Sequence, residues 1–302
     1  MNDMSEHPNR PCCSVVGTHE IYCCGARVRI SGKGVEILTD PTVDYCPLHE
    51  AIYGTKHIDA EAVRKTVETK IERFGFCCGN RCFNSEPIVA YGASEMMSVW
   101  LDKRLIDSAI VVCEGAGTVI TGNGKLVQAI GARLTGIIKT SPIREAIKQV
   151  EAYGGTILDR TSARIDQVEG VKRAFDSGFD RVAVSVAGFQ AKAISKIRGL
   201  ERSKNMDALI FSVCNTCVVD ADVQHIARAD LVCASASKVI RKEIGSNALL
   251  QIGVTIPVYV LTEKGKRFAL AYLTEFRDKL VIFRTKDLPY QAKNKGPRLK
   301  RY

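Results

Sequence analysis

The sequence lacks the marks of an exported or membrane-inserted protein. None of its apolar runs approaches the ~18 residues that a membrane-spanning helix needs. Residues 1–10 are polar, whereas a signal peptide places a hydrophobic stretch behind a short charged start. The chain also has no internal repeat of fixed period, which argues against a solenoid or propeller. We therefore expect a folded protein of the cytoplasm.

The chain before residue 284 is also not strongly basic. The 302 residues are 46% hydrophobic and 25% charged, which is ordinary globular composition. The net charge is +10, but residues 284–302 contain seven basic side chains and one acidic one and so carry +6 of it. The body is therefore not that of a nucleic-acid binder. The tail is either a solvated basic segment or a binder of an anionic partner, and we expect residues 290–302 to add anion affinity without contributing to the fold.

The N-terminal part reads as a small α+β unit. Residues 21–38 alternate in polarity around the glycine-bearing turn Ser31–Gly34, which predicts a β-hairpin with Cys23 and Cys24 on its first strand. Asp59 is placed to cap a helix that ends at Gly75, and residues 92–104 predict another helix.

From Asp107 onward, short apolar runs alternate with amphipathic stretches, as strands buried on both faces alternate with crossover helices. The predicted strands are 108–113, 156–158, 181–187, 208–213, 230–233 and 257–261. The predicted helices are 142–153, opened by Pro142 behind Ser141, and 166–178, 189–199, 219–228, 235–244 and 263–276. The fold class is therefore α/β, a mostly parallel sheet flanked by helices, with a small N-terminal α+β unit. We divide the chain into a flexible start (1–20), the cysteine-bearing unit (21–87), the parallel domain (88–283) and the tail (284–302).

Twelve cysteines require an explanation, because thiols stay reduced in a chain without an export signal. Four of them, Cys113, Cys214, Cys217 and Cys233, follow predicted parallel strands. Since such strands end at one edge of the sheet, we expect at least three of these thiols to come together. Four thiolates suit zinc or a cubane iron–sulfur cluster. The alternative for Cys113 and Cys233 is simple packing, because free cysteine is commonly buried.

A second group of cysteines is N-terminal. Cys23, Cys24 and Cys46 are candidate metal ligands, and His49 could join Cys46, although a single histidine beside a helix start is more often structural. The loop with Cys77, Cys78 and Cys82 has a metal-like spacing, whereas Cys12 and Cys13 are the weakest candidates.

An anion site is the competing hypothesis. The stretch 113–124 follows a strand and leads toward a helix, so the backbone amides of Gly115, Gly117 and Thr118 could form a nest for a small anionic substrate. It matches neither the dinucleotide fingerprint nor a P-loop, and a tight turn without a ligand is equally expected. Glu114 would then act as acid or base. Ser235, Ser237 and Lys238 form a second anion candidate, although serines at a helix start usually act as caps.

Several strings resemble one known family. They are Cys-Cys-Gly-Ala-Arg-Val at 23–28, Tyr-Cys-Pro-Leu at 45–48, Tyr-Gly-Ala-Ser-Glu at 91–95, Val-Val-Cys-Glu-Gly-Ala-Gly-Thr-Val-Ile-Thr at 111–121, Thr-Ser-Pro-Ile at 140–143, Ile-Asp-Gln-Val-Glu-Gly-Val at 165–171, Cys-Ala-Ser-Ala-Ser-Lys at 233–238 and Ile-Pro-Val-Tyr-Val-Leu-Thr-Glu-Lys-Gly at 256–265. Over about residues 20–275 the chain resembles the methanogenesis marker protein 8 family. The loop around Cys77, the first residues and the basic tail depart from that family.

The resemblance implies a cytoplasmic protein linked to methane metabolism, without implying a reaction. The favoured hypothesis is an accessory protein that binds an iron–sulfur cluster, or zinc, for maturation, activation or redox supply, with a protein of methane metabolism as its partner. An anaerobic cytoplasm would suit oxygen-sensitive clusters. The alternatives are an α/β enzyme that binds a small anion at Gly115–Gly124 and an interaction or nucleic-acid module that acts through the tail.

Overall fold

The computed structural model describes residues 14–133, 135–276, 278–290 and 296–300. Cys12 and Cys13 lie outside the described residues. The strands are β1 (Thr18–Cys23), β2 (Ala26–Ser31), β3 (Gly34–Ile37), β4 (Val43–Tyr45), β5 (Ser108–Cys113), β6 (Gly117–Thr121), β7 (Gly136–Lys139), β8 (Thr156–Ile157), β9 (Arg181–Ala187), β10 (Asp207–Val213), β11 (Leu231–Cys233), β12 (Leu250–Ile252), β13 (Val258–Val260) and β14 (Arg298–Leu299). The helices are α1 (Pro47–Tyr53), α2 (Ala60–Phe74), α3 (Ala93–Asp102), α4 (Gly124–Gly131), α5 (Arg144–Ala152), α6 (Gln167–Asp176), α7 (Lys192–Lys204), α8 (Asp220–Ile226) and α9 (Glu263–Leu273). No described helix is long and apolar enough to cross a membrane.

The central sheet has the strand order β12-β13-β11-β10-β9-β5-β6-β8. Its four middle strands, β5, β9, β10 and β11, run parallel. Strands β9 and β10 are apolar runs with buried middles, as expected for strands covered by helices on both faces. The α/β fold class is confirmed. The segments predicted at 156–158 and 257–261 are strands, but they lie near the edges of the sheet and pair antiparallel with their neighbours.

The stretch after Cys113 is a hairpin and does not lead directly into a helix. Strand β5 turns at Glu114–Ala116 into β6, and Cys113 pairs with Gly117. Gly117 (φ 74°) packs so closely against the backbone of Ala163 that a Cβ would clash with its carbonyl oxygen. The run Thr118–Thr121 is β-branched throughout, which favours a strand. Helix α4 begins only after the Asn123 cap.

A second sheet has the order β3-β2-β1-β7 and is antiparallel. The predicted first strand is interrupted at Cys24 (φ 51°) and Gly25 (φ 79°). Two consecutive residues with positive φ between paired strands form a type I′ turn. Cys24 therefore lies on a turn, contrary to the prediction that it lies on a strand. Strand β7 joins this sheet although its residues follow α4 in the chain.

The predicted helix caps and helix ends are found at some positions and not at others. Asp59 caps α2 and Gly75 (φ 62°) ends it, as predicted. Helix α5 does not begin at Pro142, however, because the Ser141 hydroxyl does not cap it. That hydroxyl instead accepts a hydrogen bond from Thr18 N at 3.0 Å and donates one to Thr18 O at 2.9 Å, which fixes the start of β1. The predicted helix at 235–244 ends in a π-helical turn.

The prediction that residues 290–302 contribute nothing to the fold is wrong for the described residues 296–300. Strand β14 pairs antiparallel with β4, and Lys300 N donates to Thr42 O at 2.8 Å. The Arg298 guanidinium also stacks on the Tyr45 ring, 4.6 Å from its centroid. This segment thus covers the edge of β4, which would otherwise leave backbone groups unpaired.

We expect truncation after Tyr290 to destabilise the protein, because it removes the backbone hydrogen bonds between β14 and β4. Each such bond contributes about 0.5–1.5 kcal/mol, so a loss of about 1–3 kcal/mol should appear as a lower thermal midpoint. Truncation after Lys300 keeps the pairing and serves as the control. An unchanged midpoint for the shorter chain would show that the pairing does not stabilise the fold.

Candidate functional site

A cavity of about 890 Å³ lies between the N-terminal sheet, helices α1 and α2, and the carboxyl edge of the central sheet. The ends of β5, β9, β10 and β11 all contribute to its lining, as the position of ligand sites in parallel sheets predicts. Its volume is typical of a site for a small organic molecule or cofactor. Six cysteines line it: Cys23, Cys24, Cys46, Cys214, Cys217 and Cys233.

Cys23 and Cys24 enter the cavity from the β1–β2 turn. A hydrogen bond from the Cys24 thiol, and secondly the charge of Lys70, lower the pKa of the buried Cys23 thiol. The same hydrogen bond and burial raise the pKa of Cys24. Cys46 lies at the start of α1, where burial raises the pKa of its thiol. Cys23 is therefore the thiol of this group that most readily becomes a thiolate, the form that binds metals.

Cys214, Cys217 and Cys233 follow β10 and β11, as predicted. Asn215 joins the two loops, since its backbone N donates to Ser235 Oγ at 3.1 Å and its amide Nδ2 donates to Cys233 O at 2.8 Å. Burial raises the pKa of Cys214 to about 12, and burial also raises the pKa of Cys233. These thiols stay protonated at neutral pH unless a ligand replaces the proton.

The backbone around the cavity adopts an uncommon conformation at four positions. Cys24, Tyr91, Cys214 and Ser235 all line the cavity with φ between 50° and 66°, in the left-handed region that L-residues rarely occupy. Such residues persist where the surrounding structure holds them, and they concentrate at functional sites. Two of the four are the candidate ligands Cys24 and Cys214.

The structure leaves Cys113 outside the cavity lining. Its side chain is fully buried, and its Sγ lies 3.8 Å from Glu114 Oε2. Burial and the Glu114 charge raise the pKa of Cys113 well above its usual value. Three of the four sheet-edge thiols thus share one cavity. In the part of the chain that the structure describes, however, no three His, Cys, Asp or Glu side chains form a group that could hold a metal ion.

Of the remaining metal candidates, Cys77, Cys78 and Cys82 lie outside the cavity lining, whereas His49 belongs to it. Cys77 and Cys78 are buried, and neither they nor Cys82 line the cavity. The carbonyl of Cys77 accepts a hydrogen bond from Val16 N at 3.0 Å, which holds the start of the described chain in place. His49 lines the cavity, with its Nε2 2.8 Å from Thr66 Oγ1.

Two amides of the predicted anion nest are engaged in hydrogen bonds within the chain. Gly115 N donates to Thr140 Oγ1 at 2.7 Å, and Thr118 N donates to Arg164 O at 3.0 Å. Gly117 is the first residue of β6 and pairs with Cys113 across the hairpin, and the Thr118 hydroxyl donates to Gln167 Oε1 at 2.9 Å. The geometry of this loop therefore does not favour the enzyme hypothesis.

The residues of the second anion candidate do not lie in one site. Ser237 Oγ accepts a hydrogen bond from Ile240 N at 3.1 Å and so caps the following turn, while Lys238 is exposed. Ser235 is the member of this group that lines the cavity.

Buried charges near the cavity were not predicted from the sequence. Glu114, the candidate acid or base, forms a buried ion pair with Arg81, and Arg81 also donates to Ala129 O at 3.1 Å. Lys70 and Arg133 are likewise buried and line the cavity. A signal existed for Lys70, because it lies on the same face of α2 as the buried Val63 and Val67, at helical spacing from both.

We expect Glu114→Gln to lower the free energy of unfolding by about 3–5 kcal/mol, because it leaves the buried Arg81 charge without a partner. The double variant Arg81→Met, Glu114→Gln should recover part of that loss in denaturant unfolding. Glu61→Gln, which removes one partner of the exposed Glu61–Arg64 pair, should change it by less than about 1 kcal/mol. A double variant no more stable than the single one would contradict this account of the pair.

We expect the Cys23 thiol to react with iodoacetamide at a lower pH than an ordinary cysteine, because its pKa is lowered. The extent of Cys23 alkylation is measured at a series of pH values by peptide mass spectrometry. Lys70→Met removes a charge that favours the thiolate, so the profile should move to higher pH. Lys33→Met removes an exposed lysine from the β2–β3 turn and should leave it unchanged. Identical profiles for both variants would exclude an effect of Lys70 on Cys23.

Comparison with known proteins finds that this chain is similar to archaeal sequences. A family described as "Uncharacterized protein conserved in archaea (DUF2099)" matches residues 19–274. An uncharacterized protein of Methanocaldococcus jannaschii is 37% identical over 259 residues, which are 85% of this chain and 90% of that protein. The matched region includes the eight-stranded central sheet and all six cysteines of the cavity. The chain therefore belongs to the DUF2099 family of proteins conserved in archaea.

Proposed function

We propose that this protein binds an iron–sulfur cluster or another thiophilic metal centre in its cysteine-lined cavity and serves methane metabolism as an accessory protein. The observation that carries the proposal is the lining of a single cavity by six cysteines. They come from four separate segments: the β1–β2 turn, the start of α1, the loop after β10 and the end of β11. The ten described cysteines form no disulfide, so all six thiols are available as ligands.

We favour a cluster over a single ion as the occupant of this cavity. A lone zinc needs sulfurs about 2.3 Å from one centre, and no such group is preformed among the described residues. A cubane cluster presents several metal atoms and is held by four cysteine thiolates, and six cysteines line this cavity. The cavity of about 890 Å³ has room for a body of that size.

The ligand thiols would change protonation when they bind a metal. Burial keeps Cys46, Cys214 and Cys233 protonated at neutral pH, so metal binding must release protons into solvent. Cys23 has the lowered pKa and would be the first thiolate to meet the metal.

The link to methane metabolism has two supports. The relative from Methanocaldococcus jannaschii is 37% identical, and the cysteine-bearing strings resemble the methanogenesis marker protein 8 family. An accessory role in maturation, activation or redox supply implies a protein partner that receives the metal centre or its electrons. The structure's anion nest is occupied by its own hydrogen bonds, so an enzyme acting at Gly115–Gly124 is not proposed.

Anaerobic purification followed by iron, zinc and acid-labile sulfide analysis tests the proposal. We expect bound metal in the native protein and a loss of at least half of it in Cys214→Ser and in Cys233→Ser, since each removes a thiolate from the cavity. Cys82→Ser, outside the cavity lining, should retain the metal. Thermal unfolding of each variant checks that the fold survives. Absence of metal from the native protein, or equal metal in the three variants, would contradict the proposal.

A further inference from the structure

The buried cations of this protein differ in whether a carboxylate lies beside them. Three Lys or Arg side chains are buried in the part of the chain that the structure describes: Lys70 (3% exposed), Arg81 (2%) and Arg133 (5%). Arg81 pairs with Glu114. For Lys70 and Arg133, by contrast, no carboxylate of the described residues lies within 4.0 Å. A buried charge without a partner is costly, and folded proteins rarely keep one without a reason.

The two unmatched cations converge on one part of the cavity. Lys70 Nζ donates to Thr135 Oγ1 at 2.8 Å, and the Thr135 hydroxyl donates to the carbonyl of Arg133 at 2.9 Å. Both cations also act on the Tyr53 phenol, where their charges oppose the rise in its pKa caused by burial. All four side chains line the cavity.

Arg133 has hydrogen-bonding capacity left over. Its guanidinium lies on the Phe74 ring, 3.9 Å from the centroid, and its buried Nε has no hydrogen-bond partner. Burial and the nearby Arg81 charge lower the pKa of Arg133 to about 10, so it remains cationic at neutral pH. A buried donor without an acceptor is uncommon in native structures. Arg133 is therefore an incompletely satisfied cation in the lining of the cavity.

The carboxylates that line the cavity are already engaged. Glu114 pairs with Arg81, and Glu95 accepts hydrogen bonds from Ser94 Oγ at 2.8 Å and from Gln128 Nε2 at 3.0 Å. The lining also includes the hydrophobic side chains of Ile52 and Phe76. The cavity therefore combines an unmatched positive end with apolar walls.

We propose that Lys70 and Arg133 bind the oxyanion group, carboxylate or phosphate, of an organic molecule whose apolar part lies against these walls. Arginine pairs with such groups through two parallel hydrogen bonds, and lysine adds a mobile point charge. This anion subsite requires no metal in the cavity. The protein would thus bind an organic anion beside its thiols, whether as cofactor, substrate or metal chelator.

Calorimetry on metal-free, reduced protein tests the subsite with three probes that share an alkyl chain: octanoate, octyl phosphate and 1-octanol. We expect at least one anion to bind at least about tenfold more tightly than the alcohol. Lys70→Met and Arg133→Met should each weaken that anion about tenfold or more and leave 1-octanol unchanged, while Lys70→Arg should keep most of the affinity. Lys33→Met, the exposed control, should bind as the native protein does.

The outcomes separate the subsite from the metal proposal. Anion binding that survives Cys214→Ser supports the subsite even if no metal is found, and the preferred head group identifies carboxylate or phosphate. Equal affinities for the alcohol and both anions would overturn the inference. So would native-like anion binding by a folded Lys70→Met variant.

Discussion

The pairing of β1 with β7 determines where the cavity lies. Strand β7 follows α4 in the chain, yet it completes the N-terminal sheet and so holds that sheet against the carboxyl edge of the central one. The Thr140 hydroxyl strengthens this junction, because it bonds both to His19 Nδ1 at 2.7 Å and to Gly115 N at 2.7 Å. Gly136 permits the close approach, since a Cβ there would lie 3.2 Å from the Phe189 ring. Without this junction, thiols from the two halves of the chain would not face a common space.

The sequence predicted those parts of the site that depend on local pattern and strand direction. The apolar runs of β9 and β10 identified parallel strands, and the loops after them carry Cys214, Cys217 and Cys233 to the lining of one cavity, at the sheet edge that the same-edge rule indicated. It failed for Cys113, because that strand end turns directly into a hairpin and packs the thiol inward. The alternating pattern of 21–30 hid the Cys24–Gly25 turn, whose first position is usually Asn, Asp or Gly.

Other parts depended on contacts between distant segments and had no local signal. The antiparallel pairing of β7 with β1 joins residues more than a hundred positions apart. Arg133 follows the end of α4 as an ordinary polar residue, and only the packing of α2 buries it against Phe74. The docking of β14 on β4 likewise arises from pairing between the two ends of the chain, while the composition of that segment indicated only a charged tail.

The positive charge of the buried cations acts both on the cavity thiols and on any anion that enters the cavity. With its thiols protonated, the cavity holds Lys70 and Arg133 without matching carboxylates, and so it is electropositive. Deprotonation of Cys23 or Cys24 would supply negative charge close to Lys70, which is why that lysine lowers the pKa of Cys23. A thiolate-bound cluster and an organic oxyanion would therefore both be attracted to this end of the cavity. Each would offset the positive charge that attracts the other, so binding of the cluster should lower the affinity for the oxyanion. Linkage then requires that the oxyanion lower the affinity for the cluster by the same factor. A metal centre of net positive charge would instead raise the affinity for the anion. Whether metal binding raises or lowers the anion affinity therefore reports the net charge of the bound centre.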